Sequence, residues 1–438
     1  MATLRLSLAS VFLTLALCAC APMSTTTAQA PDTTLPPYVP QSLKNLAITG
    51  FDPVVAADLL EMCLDLDSQD DLANFLKTHA GVAPETSEYF PRVSTKWVKV
   101  FDSRDAVAAQ KRVAATDPDV NGFGPFDNAW TLWRYTGAHA GPQTYALAIR
   151  GTVVHDRKNV FEDIVTTTIP ARNGIRRGDG ILPLSFSDFP RAEVHAGFAY
   201  GTVSLLLDKE YGVVPKLAEL RAQGRIPDGS RLIITGHSQG AAMAALTHAF
   251  IHTETENGHF LQAVGGLKVT SYMFAQPKPG NHQFGEDFAL FATLRGESFT
   301  LNNSLDPVTR VPLTLELPMD ADSDMDAHSE LSDELRRLNV LPSKVHQLVS
   351  NRANEKIARF VQGSDDALID DPSCQPASLA HGSADSLDYV TVGLVIPLIG
   401  QGDAKSSDDF LQHHAVTYRR LFAQTFGNAA AVASGGGQ

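Results

Sequence analysis

Apolar and polar positions alternate along this chain in two rhythms. From Pro53 to Phe75, apolar residues recur every three to four positions (Val54, Leu59, Leu60, Cys63, Leu64), the spacing of an amphipathic helix that covers other structure. Short strand-like runs follow at Trp130–Tyr135 and Tyr145–Ile149. The turn residues Gly137, Gly141 and Pro142 lie between them, so the pair predicts a hairpin at the entrance to a sheet. Val194-His195-Ala196-Gly197-Phe198 opens a segment expected to run as one helix through Leu207 towards Leu220. Arg231–Thr235 then reads as a buried strand, Gly236–Gly240 as a sharp turn, and Ala241–Phe250 as a helix dense in small residues. Further strands are expected at Lys268–Ala275, Ser298–Asn302 and Leu387–Ile399, with helices at 335–361 and 408–424. Strands alternating with helices predict an α/β fold, a mostly parallel central sheet with helices on both faces.

The two ends of the chain lack this patterning. Arg5 precedes an apolar run from Leu6 to Leu17 that is short for a membrane span and reads as an export leader. The small-residue cleavage sites ending at Ala21 and Ala30 are each followed by proline, which obstructs signal peptidase. Leu17-Cys18-Ala19-Cys20 instead resembles a bacterial lipobox, with Cys20 as the lipidated residue, although Cys18 is atypical there. The expected organisation is therefore a lipoprotein-type leader over 1–19, a Thr/Pro/Ala-rich tether over 20–45, a folded domain over 46–427 and a disordered tail over 428–438. The expected address is an outer-membrane or cell-surface lipoprotein attached by its lipid rather than by a span, or otherwise a freely secreted or periplasmic protein.

With 44% hydrophobic and 19% charged residues, a chain of 438 residues can bury a large core. The net charge of -14 opposes nucleic acid as a partner. Outside the leader stand Cys63 and Cys374, which in an oxidising compartment could form one bridge or remain two separate thiols.

The candidate chemistry lies in Gly236-His237-Ser238-Gln239-Gly240. A serine hydroxyl is a weak nucleophile, and it needs a histidine to accept its proton and a carboxylate to orient that histidine. Glycines two places either side of the serine let a strand turn sharply into a helix and leave the hydroxyl at the apex. The preceding Leu-Ile-Ile-Thr and following Ala-Ala-Met-Ala-Ala supply that strand and helix. His237 points elsewhere in this geometry.

Several further segments, over about Trp130 to Tyr418, resemble the class 3 (fungal-type) lipase family. Tyr145-Ala-Leu-Ala-Ile-Arg-Gly151-Thr152 is similar to its strand ending in Arg-Gly-Thr/Ser, which implies Thr152 as an oxyanion-hole residue. Val194–Phe198 resembles its Val-His-x-Gly-Phe, and Phe274–Asn281 its Phe-Gly-x-Pro-x-x-Gly-Asn. Asn302–Val308 resembles Asn-x-x-Asp-Pro-Val, which implies Asp306 as the carboxylate. The family's base stands shortly before a tyrosine on the final helix. Its spacing to Tyr418 favours His413 over the alternative His414, with His346 as a fallback. The chain order Ser, Asp, His is that of α/β hydrolases.

The resemblance implies an acyl-ester or lipid substrate, an acyl-enzyme intermediate and no cofactor. Triacylglycerol is expected first, phospholipid acyl chains second and feruloyl esters third; a non-catalytic surface binding module is the alternative from another class. Two departures stand out. Gln239 replaces the usual leucine, while its backbone N–H still suits the second oxyanion donor. Asn159–Asp163 lacks the tryptophan of the family's lid segment. Finally, Asp320, Asp322, Asp324 and Asp326 alternate as Ca²⁺ ligands do, but the run lacks a central glycine and, counted from Asp322, has Asp333 rather than glutamate at the twelfth position. It reads as part of a solvated acidic insertion over about 319–385, and no metal is expected.

Overall fold

The computed structural model describes residue 46 and residues 48–78, 89–105, 129–138, 141–151, 167–177, 180–209, 211–312, 375–376, 384–385, 388–400 and 411–427. The leader, the tether, the acidic run, His346, Cys374 and the tail lie outside these residues.

Seven strands form the central sheet, in spatial order identical to chain order: β1 (Trp97–Asp102), β2 (Trp130–Tyr135), β3 (Thr144–Ile149), β4 (Arg231–His237), β5 (Lys268–Phe274), β6 (Ser298–Asn303) and β7 (Leu394–Leu398). The first two pairings are antiparallel and the remaining four parallel. The fold is the α/β-hydrolase type, with a mostly parallel sheet between layers of helices. All six residues of β3 are buried and only Arg231 of β4 is exposed, which is why those runs read as continuously apolar.

Neighbouring residues of β4 point to opposite faces. Leu232 and Ile234 join a core with α2 (Ala196–Leu207), α3 (Val213–Ala222) and α4 (Gln239–Asn257). Ile233 joins a second core with α1 (Pro53–Thr78) and α5 (Ala415–Phe426). Leu59, Leu60 and Leu64 of α1 are fully buried, each contributing on the order of 2 kcal/mol. Cys63 carries a free, buried thiol 3.6 Å from Thr235 Oγ1 of β4.

Several elements differ from expectation for local reasons. The helix expected from Ala196 to Leu220 breaks into α2 and α3. Asp208 accepts the Tyr211 N–H at 3.0 Å, and Gly212 folds back so closely that a Cβ there would lie 2.4 Å from the Asp208 carbonyl oxygen. The strand expected from Leu387 is shortened to Leu394–Leu398, because Gly393 turns with φ +86° beneath Thr300. The last helix starts at Ala415, after a turn over residues 411–414 in which Thr417 Oγ1 donates to the Leu411 carbonyl at 2.6 Å. Strand β1 follows a half-exposed edge pattern that the apolar runs did not reveal.

Inside the sheet-helix interface, Ser271 Oγ donates to Ser298 Oγ (2.8 Å) and so accepts from His248 Nδ1–H (3.0 Å). Burial, and then the neighbouring His252, push the His248 pKa down to about 3. The unfolded chain therefore takes up this proton near pH 6.5 while the folded chain does not. Stability falls as pH drops from about 6.5 towards 3, by about 1.4 kcal/mol per pH unit from this group. Urea unfolding followed at intervals between pH 7 and pH 4.5 should show that slope, and His248→Gln should reduce it by one proton's worth. An unchanged slope in the variant would contradict a neutral buried His248.

Candidate active site

The turn after β4 is built by two glycines. A Cβ on Gly236 would lie 2.2 Å from the Gly240 carbonyl oxygen, and one on Gly240 would lie 2.3 Å from that of Ile149. Both positions therefore exclude any side chain. The turn puts Ser238 at φ 57°, ψ -133°, a strained backbone for a residue with a Cβ, and aims its hydroxyl away from the strand. The Ser238 N–H donates to the Phe274 carbonyl at 3.0 Å, which ties the elbow to the end of β5.

Three chain segments converge on that hydroxyl. Ser238 Oγ lies 2.8 Å from His413 Nε2, and His413 Nδ1 lies 2.9 Å from Asp306 Oδ2. Asp306 is fully buried in the loop after β6, and Ser238 is 6% exposed, so this relay is shielded while still reachable from solvent. The carboxylate is satisfied on every side: Oδ1 accepts the Val308 N–H at 2.8 Å, and Oδ2 also accepts the Tyr418 hydroxyl at 2.7 Å. Burial alone would raise the Asp306 carboxyl. The adjacent His413, the Tyr418 hydroxyl and the Val308 N–H together hold it below the ordinary carboxylate range, so it is ionised at neutral pH. Tyr418, pushed well above its ordinary pKa by burial and then by Asp306, stays a hydrogen-bond donor.

Asn303 staples the two loops that carry these partners. Its Nδ2 donates to the carbonyl and side-chain oxygens of Gln412, next to His413, at 2.8 and 2.9 Å. Its N–H donates to Tyr418 Oη at 3.0 Å. His414, by contrast, forms the N-cap of α5 and accepts the Tyr418 N–H through its carbonyl. His237 hydrogen-bonds neither way with Ser238; its ring lies 4.9 Å from that of His413, tilted by 33°.

The sequence thus pointed to Ser238, Asp306 and His413, which the fold brings together, while His414 stands at the N-cap of α5. Gln239 is buried as the first residue of α4, whose N–H groups point towards the turn. Thr152 and the Asn159–Asp163 segment lie outside the described residues. What the sequence did not reveal is the hydrogen bond from Tyr418, used only as a landmark, to Asp306, and the placement of Asp67 of α1 beside Gly151 and His237. A carboxylate four residues after Cys63 and seven after Leu60, on the apolar face of the helix, was the signal available for Asp67.

Residues 146–316, which contain the elbow and Asp306, match the family model described as Lipase (class 3). Solved structures of similar shape include M37 lipase, with 16% identity over 87% of this chain and 98% of that one and a TM-score of 0.42. The Rhizomucor miehei lipase propeptide complex shows 14% identity over 63% and 66%, with a TM-score of 0.34. Lip2 lipase from Yarrowia lipolytica shows 18% identity over 64% and 77%, with a TM-score of 0.34. The class defined by the family match is that of the carboxylic ester hydrolases. This chain is a carboxylic ester hydrolase of the lipase type on an α/β-hydrolase scaffold.

Proposed function

We propose that the protein hydrolyses acyl esters through Ser238 as nucleophile, His413 as general base and Asp306 as the group that orients His413. The observation that carries this reading is the single imidazole, His413, bridging a strained serine and a buried carboxylate at hydrogen-bond distance. Ser238 Oγ attacks the ester carbonyl while His413 Nε2 takes its proton. The tetrahedral oxyanion is held by the Gln239 N–H at the start of α4 and by Thr152. Collapse expels the alcohol, which receives the proton from His413. Water, deprotonated by the same nitrogen, then releases the acid and restores Ser238.

Acyl esters are the proposed substrates, with triacylglycerol first, phospholipid acyl chains second and feruloyl esters third; the family match over the elbow supports the two lipid substrates. A non-catalytic binding module is disfavoured by the cost of keeping Ser238 in a left-handed backbone and Asp306 buried and charged. Attachment to a membrane surface through a lipid on Cys20 belongs to the same proposal; it rests on the leader alone, and the mass of the mature N-terminal peptide tests it. For the chemistry, a fluorophosphonate probe is decisive. One label per chain on Ser238, with matching loss of p-nitrophenyl ester turnover, supports the reading, and turnover that survives the probe overturns it.

A further inference from the structure

Asp67 places a carboxylate on the core-facing side of α1, among Leu60, Cys63 and Leu64. It is 8% exposed, and a buried carboxylate is expensive unless it holds something in place. Two groups face it. Oδ1 accepts the Gly151 N–H at 3.3 Å, and Oδ2 lies 3.5 Å from His237 Nδ1. Gly151 stands two residues beyond Ile149, the last residue of β3. It sits against the elbow: a Cβ there would lie 2.8 Å from the His237 carbonyl oxygen and 3.1 Å from Ser238 Cβ. The parallel register of β3 and β4, with Ile149 beside Gly236, brings Gly151 alongside the elbow. The carboxylate thus reaches both Gly151 and His237, the residue before the nucleophile.

The helix that carries Asp67 is itself fastened to the rest of the site. Cys63 meets Thr235 on the strand before the elbow. Glu61 pairs with Arg419 at 2.5 Å, one residue after Tyr418, and accepts the Arg92 N–H at 2.6 Å. Leu64 packs on Ala415 and Val416 just after the His413 turn. Helix α1 therefore touches the segments carrying nucleophile and base, and Asp67 adds the turn at Gly151. It lies outside the matched stretch 146–316.

We infer that Asp67 is a positioning residue for the nucleophile elbow: its carboxylate holds the Gly151 N–H, and with it the backbone that packs on His237 and Ser238. The inference rests on the serine-hydrolase reading above. The substrate itself need not touch Asp67. The consequence of losing the tether is a misplaced nucleophile elbow, which weakens the transition state more than the bound ester.

The test uses the full chain, a short soluble p-nitrophenyl ester and an alkylboronic acid, which forms a tetrahedral adduct on an activated serine. Rates are expressed per site titrated with fluorophosphonate, so misfolded protein is not counted. Asp67→Ser should lower kcat by about tenfold or more with KM within about twofold, and should weaken boronic acid inhibition by a similar factor. Asp67→Asn, which keeps an acceptor for the Gly151 N–H, should recover kcat to within about threefold. Wild-type kcat and boronic acid affinity in Asp67→Ser would overturn the inference, as would a rise in KM alone. Should the serine variant not fold, the asparagine variant decides: near wild-type kcat and boronic acid affinity support the hydrogen bond, and a tenfold loss overturns it. Ester turnover retained by Ser238→Ala would instead sink the underlying reading, so the two failures are distinct.

Discussion

His413→Ala should lower kcat for a short p-nitrophenyl ester by a factor of about 10⁴ to 10⁶, while His414→Ala should leave it within a few-fold. The two residues are neighbours, and their difference is a matter of backbone. His413 stands in the turn before α5, where Asn303 fixes the preceding Gln412 and Thr417 closes the loop onto Leu411. That geometry points the imidazole between Ser238 and Asp306. His414 has already entered the N-cap of α5, and its carbonyl begins the helical hydrogen-bond series. Without His413 the serine hydroxyl loses the group that takes its proton, and oxyanion binding and proximity remain. Equal losses in the two variants, by steady-state kinetics normalised to folded protein, would contradict this assignment.

Asp306→Asn should cost about 10³ to 10⁴ in kcat with little change in KM. The replacement is nearly isosteric, so the loss isolates chemistry from shape. Asp306 receives three donors: His413 Nδ1–H, the Tyr418 hydroxyl and the Val308 N–H. An amide carries one acceptor oxygen. If that oxygen faces His413 and Tyr418, the amide NH₂ meets the Val308 N–H; if it faces Val308, the NH₂ meets His413 and favours the tautomer with the proton on Nε2. In that tautomer His413 cannot accept from Ser238. The carboxylate also stabilises the imidazolium formed during attack, and its depressed pKa keeps it charged throughout neutral pH. kcat for Asp306→Asn within tenfold of wild type would remove Asp306 from the relay.

Much of the site was legible because its chemistry is tied to local backbone demands. Gly236 and Gly240 flank Ser238 since nothing larger fits beside the Gly240 and Ile149 carbonyls, and that demand is written in five adjacent residues. Asp306 and His413 could be placed through short motifs next to recognisable elements, a strand end and a helix start. The parts that escaped depend on contacts distant along the chain. Asp67 reaches Gly151 across 84 positions, and Tyr418 reaches Asp306 across 112. Nothing in the neighbours of either residue announces its partner. The fold shows the same division. Fully buried β3, and β4 buried beyond Arg231, stood out as apolar runs, whereas the half-exposed β1 did not. The break between α2 and α3 arises from the Asp208 side chain competing for a backbone N–H, a local event that apolar periodicity does not register.

The central claim is that Ser238 becomes covalently acylated. Peptide mapping after fluorophosphonate treatment tests it most directly, with the wild-type protein and Ser238→Ala treated in parallel. One adduct per wild-type chain is expected, on the peptide carrying Ser238, appearing at the same rate as ester hydrolysis disappears, with no adduct or turnover in Ser238→Ala. An adduct on another residue, or hydrolysis that persists in Ser238→Ala, would contradict it.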